Sequence, residues 1–205
     1  KSKYRNKIIL LLRPSEARKA KEGATNYMIY VKFSSPINPQ TSQNLMSFLS
    51  DQINKGQKEF YFLISSVGGS VKDGIDLYNF IRALPAKIIM HNIGVIDSIA
   101  NVIFLASNER YCNPNSSFLF HGVGFDINQP QRFEEKDLRE KLIMIERDQK
   151  SIADIIAERT KLDEKEIIEM FFRAKTKSSN EAKEAGLIQE IKMANIPEGS
   201  QIISL

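Results

Sequence analysis

Strand-like runs alternate with segments of helical period along almost the whole of this chain. NYMIYVKFSS, residues 26–35, is rich in β-branched and aromatic residues and has strand composition. After the turn SPINPQTSQ, a helix is predicted over residues 41–55, with Leu45, Phe48, Leu49 and Ile53 on one face. Residues 60–65 form a short apolar run of buried-strand type. Val71, Ile75, Tyr78 and Ile81 then recur at helical spacing until Pro85 ends the helix. KIIMHNIGV is a further strand, and Ile99, Val102, Ile103 and Ala106 make a further helical stripe. RYCN and SSFLFHGV are short strands on either side of Pro114 and Asn115. A long helix is predicted over residues 132–159, with Leu138, Leu142, Ile145, Ile152 and Ile156 facing inward. Asp163 with Glu166, and Ser178 with Glu181, have capping-box spacing; Gly186 sits where a C-cap glycine belongs, and LIQEI is a last strand. Such alternation predicts an α/β fold with parallel strands, because a parallel pair needs a crossover and a helix supplies it.

Composition narrows the function. The net charge is +4, but much of the excess lies in KSKYRNK and RPSEARKAK at the start. It reads as a basic end segment, residues 1–25, and no nucleic-acid-binding motif accompanies it. One cysteine, Cys112, excludes an internal disulfide and fits a reducing, cytoplasmic setting; its expected role is a small buried apolar residue. The run at residues 7–12 is too short for a membrane span. Two histidines, His91 and His121, with no ligand-spaced cluster, give no basis for a metal site.

Three places carry chemistry. The strand FYFLISS runs into VGGSVKDG, placing Gly68 and Gly69 at a helix start. Two readings of the glycines stand open: a turn that needs positive φ, or unhindered N–H groups fixed where an oxyanion develops. GVIDSIAN repeats the strand-end glycine, now with Ser98 at the turn, either a helix N-cap or an exposed hydroxyl. In FLFHGV, His121 ends an apolar strand, either as a hydrogen-bonded structural residue or as the base that a serine nucleophile requires.

These residues resemble the ClpP peptidases. ISSVGGSVKDGIDLYNFI is similar to the family's glycine-rich S-P-G-G-S-V segment, and IGVIDSIANVIFLAS to the G-x-A-A-S-M-G nucleophile segment. RYCNPNSSFLFHG is similar to the segment that supplies the base, and SNEAKEAGLIQEI to the closing E-A-x-x-x-G-L segment. The matches stand in the family's order over residues 55–192; the N-terminal region matches weakly. The resemblance implies a ClpP/crotonase-like spiral of β-β-α units over residues 26–192, a projecting handle helix, and a tail at residues 193–205. It implies a serine endopeptidase acting on peptides or unfolded proteins inside a homo-oligomeric ring or stacked rings, without a cofactor, and admits an AAA+ unfoldase as partner. Carried over, Ser98 is the nucleophile, His121 the base, and the N–H groups of Gly68 and Ile99 the oxyanion hole. Substrate would lie as an added strand between Gly69, Ser70 and Val71 on one side and Val123, Gly124 and Phe125 on the other.

The chain departs from the family pattern at telling places. The catalytic aspartate falls on Ala174, and Phe172 stands where a second acid is common, although Arg173 matches. Val67 replaces a proline, Asp97 replaces a small residue, and Gly122 and Val123 follow the histidine in place of Gln-Pro. Adjacent side chains on a tight turn usually diverge, so Asp97 is expected to be a poor substitute for the acid; Asp126 could help only if its loop folds back. Two other functions compete with the peptidase: a catalytically silent structural or regulatory subunit, and an acyl-CoA enzyme of crotonase type. The chain shows no paired-glutamate constellation for the latter.

Overall fold

The structure, a computed structural model, describes residues 27–127, 129–130 and 132–205. The basic N-terminal segment, with its expected strand at residues 8–12, lies outside them. In chain order the elements are β1 (Ile29–Phe33), α1 (Pro39–Asn54), β2 (Glu59–Ser66), α2 (Val71–Ala83), β3 (Lys87–Asp97), α3 (Ala100–Phe104), β4 (Glu109–Cys112), β5 (Ser117–Phe120), α4 (Glu135–Arg159), α5 (Glu164–Arg173), β6 (Lys175–Ser178), α6 (Ser179–Glu184), β7 (Glu190–Ile191) and β8 (Ile202–Ser204).

β1, β2 and β3 pair in parallel, as the strand–helix alternation requires. β3 then serves two partners on its far side. Its first part pairs with β4 from Ile89 to Asn92, and its last part with β5 from Val95 to Asp97. Between these parts its register on β2 shifts: Ile64 faces Asn92, but Ser66 faces Ile96. The Ser65 hydroxyl fills this bulge, accepting from the Val95 N–H at 3.2 Å, and the buried Asn92 donates to the Ser117 carbonyl at 3.0 Å. A bulge re-aims the strand beyond it; here it sets the end of β3, Asp97 and Ser98, beside β5.

The core is continuous. Phe33, Phe60, Phe62, Phe104, Phe118 and Phe120 are fully buried in it, and Ile152 and Ile156 from the second half of α4 join it. The first half of α4 departs from the sequence reading: Leu138 and Leu142 are more than half exposed, so the inward-facing stripe is confined to the C-terminal turns. Two strands were not read from the sequence. β6 runs antiparallel to β5, and β8, in the segment expected to be a tail, extends the sheet beside β1. Among the described residues no helix is long and apolar enough to cross a membrane.

Candidate active site

The chain enters the site through the β2–α2 turn. Gly68 has φ +83, and a Cβ there would stand 2.8 Å from the Ser98 Cβ and 2.7 Å from the Asp97 carbonyl oxygen. Only a residue without a side chain lets this turn press against the Ser98 turn. Gly69 is needed for a different reason, because a Cβ there would strike the backbone of Ile37. The Ile37 N–H donates to the Gly68 carbonyl, and the Ser70 N–H donates to the Ile37 carbonyl, both at 2.8 Å. The reading of the glycines as a turn that needs positive φ has a structural basis, with φ +83 at Gly68 and +147 at Gly69.

Ser98 follows the last residue of β3 in the left-handed region, φ 56, which costs a non-glycine residue roughly 1–2 kcal/mol. The surroundings hold it there. Its N–H donates to the Leu119 carbonyl at 2.9 Å, and its own carbonyl accepts from the Asn101 N–H at 3.1 Å. The buried Asn101 side-chain amide donates to the carbonyls of Leu119 (2.9 Å), Ser98 (3.1 Å) and Ile96 (3.3 Å). Asn101 thus ties the serine turn to the strand that carries the histidine. Ser98 is not an N-cap: α3 begins at Ala100 with Ile99 as its cap residue and no side-chain cap bond.

His121 comes one residue after β5. Its Nδ1 lies 2.8 Å from the Gly122 carbonyl oxygen. A carbonyl can only accept, so Nδ1 carries the proton in the neutral ring and Nε2 keeps its lone pair. Ser98 and His121 line one cleft of about 280 Å³, together with Gly69, Val71, Ile99, Val123, Gly124, Phe125 and Asp126. No hydrogen bond joins the Ser98 hydroxyl to His121 among the described residues. Of the two expected oxyanion donors, the Gly68 N–H is turned to the Ser66 hydroxyl at 3.2 Å; the Ile99 N–H has no partner among the described residues, and Ile99 is one of the residues lining the cleft. Ser70 does not border it; its hydroxyl caps α2 by accepting from the Asp73 N–H at 3.4 Å. The stretch after His121 is pinned from two helices. The Gly122 N–H donates to the Phe171 carbonyl at 3.1 Å, and the Val123 N–H to the Gln149 side-chain carbonyl at 3.2 Å.

β5 and β6 pair antiparallel with Phe120 opposite Lys175, so His121 and Ala174 each lie one residue beyond the paired stretch. Ala174 ends α5 in the left-handed conformation, φ 48 and ψ 56. Phe172, beside it, is 91% exposed. Burial raises the pKa of Asp97, opposed by the Leu119 amide and the His121 imidazole.

Asn101, Gln149 and the Gly122 carbonyl were missed in the sequence. Asn101 falls three residues after the serine, within reach of its carbonyl, and that spacing was the available signal. A backbone carbonyl and a glutamine from a distant helix leave none. The other candidate residues have structural roles. His91 is fully buried, with Nδ1 2.6 Å from the Tyr61 hydroxyl and Nε2 3.0 Å from the Asn113 side-chain oxygen and 3.1 Å from the Lys192 carbonyl; burial lowers its pKa. Cys112 is buried too, and burial pushes its thiol up to about 11, too high for a nucleophile.

A model of the Clp protease family matches residues 23–195. Similar proteins include the ATP-dependent Clp protease proteolytic subunit 2 of Treponema denticola, 28% identical over 174 residues, which are 79% of this chain and 82% of that one. Proteolytic subunit 3 of Rhizobium etli is 28% identical over 165 residues, 76% of this chain and 79% of the relative. A ClpP1 mutant from Listeria monocytogenes has the same fold, with a TM-score of 0.72 at 22% identity over 80% of this chain and 91% of that one.

Proposed function

Since this chain belongs to the Clp protease family, we propose that it is a serine endopeptidase that cleaves peptides or unfolded proteins within an oligomeric chamber, with Ser98 as nucleophile, His121 as base and no acid at position 174. The observation that carries the reading is the Ser98 turn. A strained serine, held by Asn101 and pressed by Gly68, shares a cleft with a histidine whose Nε2 is left basic.

The chemistry follows from these groups. With substrate in the cleft, the Ser98 hydroxyl closes on Nε2 and passes its proton there as Oγ attacks the scissile carbonyl. The developing oxyanion accepts from the Ile99 N–H and from the Gly68 N–H once the latter leaves Ser66. The protonated imidazole then gives its proton to the departing amine, and water releases the acyl group by the reverse sequence. Substrate backbone runs between Gly69 and Val71 on one side and Val123, Gly124 and Phe125 on the other, with Ser70 supporting the first side through its cap. The Gly122 carbonyl fixes the tautomer that an aspartate would fix, but a neutral acceptor stabilises the imidazolium less than a carboxylate does. Turnover is therefore expected to be low.

A silent structural subunit is the second reading, and two observations favour it: the alanine at 174 and the missing hydrogen bond between Ser98 and His121. A fluorophosphonate probe separates the two. Labelling of the parent that disappears in Ser98→Ala supports the peptidase. Equal labelling of both proteins removes Ser98 from the nucleophile role, and no labelling of the assembled parent selects the silent subunit.

A further inference from the structure

With no acid at 174, the nearest carboxylate in the chain to Ser98 is the one immediately before it. Asp97 pairs with Leu119 in the parallel ladder of β3 and β5. Residues paired in a parallel ladder share a sheet face, and alternation carries that face two residues on, to His121. Burial follows the same alternation: Ile96, Phe118 and Phe120 are buried in the core, while Asp97, Leu119 and His121 are not. Asp97 is the last residue of β3 and belongs to its ladder with β5, while Ser98, in the left-handed turn that follows, borders the cleft. One carboxyl oxygen of Asp97, Oδ1, is buried and has no hydrogen-bond partner. A polar atom kept dry and unpaired is costly, and a small residue would avoid that cost.

We propose that Asp97 is the positioning acid of this site, its carboxylate balancing the charge of the His121 imidazolium across the face of β3 and β5 in place of an acid at 174. The role rests on the peptidase reading. It is exerted through the field, because no hydrogen bond or ion pair joins the two side chains among the described residues. The other charges near His121 are less suited to it. Asp126 borders the same cleft but is exposed. Lys175 and Arg173, flanking position 174, are paired with Glu181 at 3.1 Å and Glu169 at 3.0 Å. The neighbouring side chain from α4 is the neutral Gln149.

The chain has only two histidines, so imidazole NMR reads the coupling without any turnover. In full-length Ser98→Ala protein at fixed pH, adding Asp97→Asn should displace the His121 imidazole resonances, because a charge facing the ring is removed. The His91 resonances should stay in place. His121 resonances that do not move in the folded variant overturn the proposal. If Asp97→Asn does not fold, Asp97→Ser supplies the same comparison. In the Ser98 parent, Asp97→Asn should slow fluorophosphonate labelling about tenfold, and adding Ala174→Asp should restore it. Unchanged labelling, with an unchanged pH profile, also overturns the proposal. A parent that never labels defeats the peptidase reading instead, and the NMR comparison then still decides whether Asp97 and His121 are coupled.

Discussion

Ala174 holds a backbone conformation that suits another residue better. In the left-handed region, asparagine and aspartate are favoured over alanine because a short polar side chain can bond locally. Ala174→Asp is therefore expected to leave the melting temperature unchanged or slightly higher while placing a carboxylate just beyond the Phe120–Lys175 pair, at the end of the ladder from which His121 follows. Peptide cleavage should rise by one to two orders of magnitude, part of the roughly four that an acid is worth in a serine-protease triad. Steady-state kcat/KM together with thermal unfolding tests both halves, and no gain in a folded variant would mean that His121 is not set to use an acid there. Asp97 works in the opposite direction. Burial raises its folded-state pKa above the unfolded value, so its contribution to stability is present at pH below the unfolded value, about 4, and is lost as pH rises through the folded value. Asp97→Asn should therefore resist urea better than the parent at pH 7, with the difference gone near pH 3, while losing activity. A variant less stable than the parent at pH 7 would show that the carboxylate is better satisfied than its unpartnered oxygen indicates.

Among the elements, the β2–α2 and β3–α3 turns were legible because each combines an apolar strand, a glycine and a helical stripe. Their mutual contact was not. Gly68→Ala should show it, since a methyl group there meets the Asp97 carbonyl and the Ser98 Cβ under 3 Å and φ +83 resists a side chain. A stability loss of about 1–3 kcal/mol in denaturant titration, with loss of probe labelling, is expected; full labelling would mean that the two turns are not coupled. β2 and β3 could be read because both are long and apolar. β6 could not, since KTKS is almost wholly polar and exposed, and only its pairing with β5 makes it a strand. β8 escaped because three residues give no period to count; it is recognised by its register on β1 and by the Leu205 N–H donating to the Lys32 carbonyl at 3.0 Å. Helical period located α4 but could not say what covers each turn of it. The same limit applied to the site. Ser98 and His121 stood out at strand ends as candidates whose roles only the family resemblance implied, whereas the Gly122 carbonyl and Gln149 act through backbone direction and tertiary approach, which no local pattern encodes.

At the scale of the molecule, α4 joins the site to surface that this chain alone leaves uncovered. Its C-terminal turns bury Ile152 and Ile156, which also border the cleft, and Gln149 accepts from the Val123 N–H. Toward its N-terminus, Leu138, Leu142 and Ile143 are 53%, 54% and 64% exposed. Grouped apolar exposure of this kind marks an interaction surface, and a chamber-forming peptidase would bury it between subunits. Sedimentation at micromolar concentration should therefore show an oligomer. Replacing Leu142 and Ile143 together with Glu should dissociate it without unfolding the subunit, because neither residue belongs to the core. The consequence should reach the chemistry. With the first half of α4 unsupported, the segment from Gly122 to Phe125 loses a rigid anchor at Gln149, and labelling of Ser98 should slow even though no residue of the cleft has changed. A parent that sediments as a monomer would remove the chamber. A dissociated variant that labels as fast as the parent would confine the role of assembly to enclosing substrate and leave the site complete within one subunit.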